Sequence, residues 1–153
     1  DDGSDMPFSM AVDYHAVQPA AANEARLTIK TALRNTKLQE GSATEAVVTV
    51  TNTSGQDAAT PLAIVGVPGG MEVRHDQLKE LVKSQRIAAY EVIGRDVVLY
   101  WRQIKAGEKV ELPVSLIAAV PGKYTGPASR AYEYYANEYK QWSPGLLVNI
   151  TPK

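Results

Sequence analysis

The sequence predicts an all-β domain with one helix, an antiparallel β-sandwich of about nine strands, on three observations. Apolar and polar residues alternate with period two along most of the chain. Turn-forming clusters of Gly, Pro, Asn, Asp and Ser recur roughly every 8–12 residues. Only one stretch changes to a helical period. A parallel sheet would need a crossover between most strand pairs, so hairpins and Greek-key returns are the expected connections.

The first alternating run holds Met10, Val12 and Tyr14, and the second Leu27, Ile29 and Leu33. The run from Ala46 to Thr51 is closed by Asn52-Thr53-Ser54-Gly55, and that from Leu62 to Val67 by Pro68-Gly69-Gly70. From His75 to Lys83 the period changes. Leu78, Leu81 and Val82 fall at i, i+3 and i+4, which makes one apolar stripe along a helix. Ile87 to Ile93 and Val97 to Trp101 flank Gly94-Arg95-Asp96 as a hairpin. Val110, Leu112, Val114 and Leu116 alternate in the next strand, where Pro113 has no N–H to give a ladder and so marks an edge or an unpaired position. Arg130 to Tyr135 and Leu146 to Ile150 close the sandwich, separated by the polar run 137–141.

At 153 residues a single domain with a real core is expected. A formal charge of -1, from 16 Lys+Arg against 17 Asp+Glu, argues against a nucleic-acid or anionic-membrane partner. The absence of Cys removes thiol nucleophiles, disulfides and cysteine-bound metals. No run approaches the ~18 apolar residues that span a bilayer. Asp1-Asp2-Gly3-Ser4-Asp5 has neither the charge nor the apolar run of a signal peptide and reads as a linker end. Residues 1–7 are therefore expected to be linker and 8–153 the domain.

Nothing in the chain marks a catalytic site. His15 and His75 have no companion at metal-ligand spacing, so no metal and no cofactor are expected. No G-x-S-x-G is present, and Gly122-Lys123-Tyr124-Thr125 lacks the context of a phosphate loop. Two features suit contact with a partner. His75, Lys79 and Lys83, spaced by four, form one basic ridge on the helix, away from the apolar stripe. Tyr132, Tyr134, Tyr135, Tyr139 and Trp142 make an aromatic cluster. Core packing is the expectation for the strand tyrosines, while Tyr139 and Trp142, read as loop residues, could form a stacking platform for a glycan or protein. Asn52-Thr53-Ser54 and Asn149-Ile150-Thr151 match the glycosylation acceptor pattern, which has meaning only in a eukaryotic secreted chain.

Five pieces occur in order at suitable spacing: Val67-Pro68-Gly69-Gly70-Met71, Leu78-Lys79-Glu80-Leu81-Val82, Ile87-Ala88-Ala89-Tyr90-Glu91-Val92, Val97-Val98-Leu99-Tyr100 and Ala131-Tyr132-Glu133-Tyr134-Tyr135. Leu38-Gln39-Glu40-Gly41 followed by Val48-Thr49-Val50-Thr51-Asn52 precedes them. The series resembles the C-terminal, receptor-binding-type macroglobulin domain of the alpha-2-macroglobulin and complement family. The resemblance implies a sandwich with one helix in a strand connection, and a large, exported, multidomain protease trap or thioester protein as parent. It implies no catalysis here, because the family's thioester lies in a preceding domain. Its partners would be neighbouring macroglobulin or thioester domains, or a protein receptor, at an extracellular, periplasmic or cell-surface location. Vertebrate members engage a receptor with two lysines four apart on the helix; the matching positions are His75 and Lys79, of which only the second is a lysine. The sequence looks more like a bacterial member. The reading from a different class is an adhesion or ligand-binding sandwich that uses Tyr139 and Trp142.

Overall fold

The computed structural model describes residues 26–134 and 136–153, with side chains throughout except at 136–140. The strand expected around Met10, Val12 and Tyr14 lies outside the described residues, as do His15, Tyr135 and the linker end 1–7. In chain order the elements are β1 (Leu27–Leu33), β2 (Lys37–Gln39), β3 (Ala43–Asn52), β4 (Ala58–Ala59), β5 (Pro61–Gly66), β6 (Met71–Val73), α1 (His75–Lys83), β7 (Ala89–Ile93), β8 (Asp96–Tyr100), β9 (Gln103–Ile104), β10 (Lys109–Ala118), β11 (Gly122–Thr125), β12 (Ser129–Glu133), β13 (Ala136–Ser143) and β14 (Leu147–Thr151). Strands outnumber the expected nine because β2, β4, β6, β9 and β11 are only two to four residues long, and because β13 forms where a polar connection was expected.

Two antiparallel sheets make the layers: β1-β3-β10-β6, and β13-β12-β5-β8-β7. Alternation along β3 and β10 sends Ala46, Val48, Val50, Leu112, Val114 and Leu116 into the core. There they join Ala63, Val65, Val97 and Leu99 from the second layer in one continuous cluster. Each fully buried Val or Leu contributes about 1.5–3 kcal/mol by leaving water. Two smaller sheets, β11-β14-β2 and β9-β4, complete the fold. The pairing of β14 with β2 is parallel, which the purely antiparallel expectation did not contain.

The helix covers the residues its periodicity indicates, with Leu78 and Leu81 buried beneath it. Nine residues do not hold a helix by themselves, so packing must supply its stability. Gln77 does more than pack. Its Nε2 donates to the Pro113 carbonyl at 2.8 Å and its Oε1 accepts from the Ser115 amide at 3.1 Å, so one side chain completes the edge of β10 beyond the reach of β6. Pro113 sits on that edge, where its missing N–H costs no ladder bond.

Two local features fix the connections. Asn52 is fully buried, and its amide donates to the carbonyls of Gln56 and Ile104 and accepts from the Ser54 amide and hydroxyl. Its nitrogen is thus occupied and out of reach of a glycosylating enzyme, whatever its Asn-Thr-Ser context. At Gly66 a Cβ would stand 2.0 Å from the Pro127 carbonyl oxygen, and at Gly145 the same distance from that of Gly126. Three segments cross there backbone to backbone, a packing only glycine permits.

Candidate functional site

The five-stranded sheet is apolar on both faces at its centre. Every residue of β5 is buried, and so are Val97, Val98 and Leu99 of β8. Ala63, Val65, Val97 and Leu99 point into the sandwich, which forces Leu62, Ile64 and Val98 to the opposite, outer face. These three form a second cluster, packed with Tyr100 and Tyr132. Cross-strand register builds the face in two rows: Arg130, Ile64, Val98 and Glu91, then Tyr132, Leu62, Tyr100 and Ala89.

A cleft of about 430 Å³ runs over this cluster, flanked by Ile93, Tyr100, Tyr132 and Tyr134. Ile93 is 60% exposed and Tyr134 55%. The Tyr100 hydroxyl donates to Glu91 Oε1 at 2.8 Å. That bond, with some burial and the Glu91 charge, pushes the phenol up from 10.0 to about 12, so Tyr100 stays neutral through the physiological range. The rim is therefore aromatic around an aliphatic floor, which suits an apolar partner surface.

Tyr132 and Tyr134 depart from the core-packing expectation. Ala131, fully buried, takes the inward position on β12, and Tyr132 beside it lies on the outer face. Trp142 is not in a loop either; it stands on β13 opposite Arg130, whose guanidinium carbon is 5.3 Å from the ring centroid in a cation–π contact. Tyr139 falls on the same strand, with its side chain outside the described residues. On α1, His75, Lys79 and Lys83 are all exposed, as the spacing indicates. His75 is tied to the second layer: its Nδ1 lies 3.3 Å from the Tyr90 hydroxyl, with the two rings tilted by 46°. The structure thus places the basic ridge on the helix and Trp142 on the five-stranded sheet.

Leu62, Ile64, Ile93, Val98 and Tyr100 were missed as surface candidates. Their signal was the unbroken apolar run of 62–67 and 97–99, which in a sheet expected to face water on one side means that both faces are apolar. Among the described residues, no three His, Asp or Glu side chains gather as a metal-holding group, and no helix is long and apolar enough to cross a membrane. Glu111 and Glu133, two carboxylates with no partner evident in sequence, serve separate contacts, with the Thr49 hydroxyl and with Arg26.

Residues 57–143 match the family model described as the A-macroglobulin receptor binding domain. No curated protein sequence matches the chain. Among solved structures it is similar to Salmonella alpha-2-macroglobulin reacted with methylamine, with a TM-score of 0.68 and 18% identity over 87% of this chain and 10% of that one. Trypsin-activated alpha-2-macroglobulin from Escherichia coli gives a TM-score of 0.70 and 18% identity over 88% of this chain and 11% of that one. The native Escherichia coli protein from domain MG7 to the C-terminus gives 0.66 and 16%, over 88% and 25%. At such identities the structures establish the fold, and the chain spans about a tenth of these two macroglobulin chains. With more than half of its length inside the family model, the chain belongs to the A-macroglobulin receptor-binding-domain family.

Proposed function

We propose that this domain is a non-catalytic module of an alpha-2-macroglobulin-like protein and docks against a neighbouring domain of a longer parent chain through the outer face of its five-stranded sheet. The observation that carries the reading is the cleft over Leu62, Ile64 and Val98, apolar on its floor and aromatic on its rim. An apolar face of this kind is normally covered by another protein surface. A neighbouring domain is the favoured cover because the matched region makes up only about a tenth of the structurally similar macroglobulin chains. The reading carries with it a parent that works as a protease trap in an extracellular, periplasmic or cell-surface location. The exposed ridge of His75, Lys79 and Lys83 is a second contact, for another domain or a protein receptor, on a helix anchored through Gln77 and Leu78.

Hydroxyl-radical footprinting of the 153-residue chain and of the longer parent tests the docking. Ile93, Tyr100 and Tyr132 should be labelled in the short chain and protected in the parent. Ile93→Asp, at a position 60% exposed, should restore their labelling in the parent without lowering the melting temperature of the short chain. Equal labelling in both proteins would remove the proposal. In the same comparison, acylation of Lys79 and Lys83 by a succinimidyl ester should be slower in the parent if the ridge is also covered.

A further inference from the structure

A second concavity, unrelated to the apolar cleft, opens between the C-terminal end of α1 and the segment joining β8 to β9. It has a volume of about 480 Å³, and its polar lining comes from Gln85, Arg86, Arg102 and Gln103, with Trp101 in the wall. No Asp or Glu lines it. Arg86 spends one N–H on the Glu111 carbonyl at 2.9 Å and keeps the rest of its guanidinium. Arg102 is exposed and has no side-chain partner among the described residues. Gln103 Nε2 donates to Asp57 at 2.8 Å, and Asp57, outside the lining, also accepts from the Ala106 amide. The cavity is thus a cationic pocket rich in donors and without an anion of its own.

Two further observations single it out. Trp101 is 7% exposed, and its indole Nε1 is buried with no hydrogen-bond acceptor. Buried donors are nearly always satisfied, so this one, on a residue of the cavity wall, lacks an acceptor that the described residues do not supply. Gln85 follows the helix C-cap Ser84 with φ at 64°, in the left-handed region that helix ends normally give to glycine. Glutamine is strained there, and what it brings that glycine could not is a side chain on the cavity wall.

We propose that this pocket binds a carboxylate, held by Arg102 and Arg86 beside the Trp101 ring, and presented by an acidic peptide segment of a docking partner. Charge complementarity selects the class, since planar guanidinium groups match carboxylate geometry. The inference goes beyond the docking reading and stands without it, because it uses the opposite chemistry at a different place.

The test follows the two indole N–H resonances of the ¹⁵N-labelled chain, with Trp142→Phe identifying that of Trp101. The probes are an acetylated and amidated Gly-Glu-Glu-Gly peptide, its Gly-Gln-Gln-Gly counterpart and free succinate. Saturable movement of the Trp101 signal with the glutamate peptide is expected, with none from the glutamine peptide. Arg102→Met should weaken binding at least about tenfold while leaving the rest of the spectrum in place. Gln85→Gly should raise the melting temperature by relieving backbone strain and yet weaken binding, a pairing that a purely structural Gln85 would not produce. Movement by succinate as well as peptide supports a general carboxylate site, whereas movement by peptide alone supports the acidic-segment source. No movement with either carboxylate probe, or equal movement by the glutamine peptide, overturns the proposal.

Discussion

Replacing Gln77 with leucine removes the side chain that joins α1 to the edge of β10 while preserving most of its volume. The Ser115 amide loses its acceptor at 3.1 Å, and Ser115 is 8% exposed, so water replaces that bond poorly. A stranded buried N–H costs about 1–3 kcal/mol. The half-buried Pro113 carbonyl loses its 2.8 Å donor but can recover a water, at about 0.5–1 kcal/mol. The total is about 1.5–4 kcal/mol, or about 3–16 °C in melting temperature for a domain of this size. Urea unfolding at neutral pH measures it, and the slope should not change, because the native surface is nearly the same. A loss below about 0.5 kcal/mol would refute the claim that this side chain stands in for a strand. Gln77→Glu sharpens the test. Its carboxylate keeps the bond to Ser115 but sets an oxygen against the Pro113 carbonyl, so only the protonated form satisfies both. The folded state therefore raises the pKa of the new group. The stability it adds is present below about pH 4 and disappears as the pH rises through the folded-state pKa.

Asn52→Ala removes an amide that serves two carbonyls and two Ser54 groups inside the core, and it should cost about 3–5 kcal/mol by thermal unfolding. A loss under about 1 kcal/mol would show that the network is not stabilising. The Tyr100 phenol, raised to about 12 by its bond to Glu91, favours the folded state while neutral. Its contribution is complete below about pH 10 and fades as the pH climbs through 12, so the stability gap between the native chain and Tyr100→Phe should narrow across that window. A gap that stays constant with pH would contradict this.

The parts of the fold that follow from local chemistry were legible in the sequence. The helix bounds came from one apolar stripe, and the hairpin between β7 and β8 from Gly94, which adopts φ 60°. What stayed hidden depends on partners far along the chain. The polar run 137–141 reads as a connection, yet it is part of β13, which lies at the edge of its sheet, where polar residues are tolerated. Tyr132 looked like core because its own strand cannot reveal which face turns inward; the neighbour Ala131 decides that by fitting against the opposing layer. The helix ridge could be read because spacing alone defines it. The outer cleft draws side chains from β5, β7, β8 and β12, an assembly that only the strand order creates.

The parallel pairing of β14 with β2 governs when the domain can become complete. The Thr151 hydroxyl donates to the Leu38 carbonyl across 113 positions of sequence, and β14 is the only bridge between β2 and β11 in that sheet. During synthesis the first strand of this trio therefore waits, unpaired, until nearly all the rest of the domain has been made. Contacts of such separation slow folding and lengthen the time in which open edges can meet other chains. A cell that makes this protein has reason to hold it with chaperones until β14 emerges, and truncations short of Leu147 should accumulate as insoluble material rather than as a slightly weakened domain.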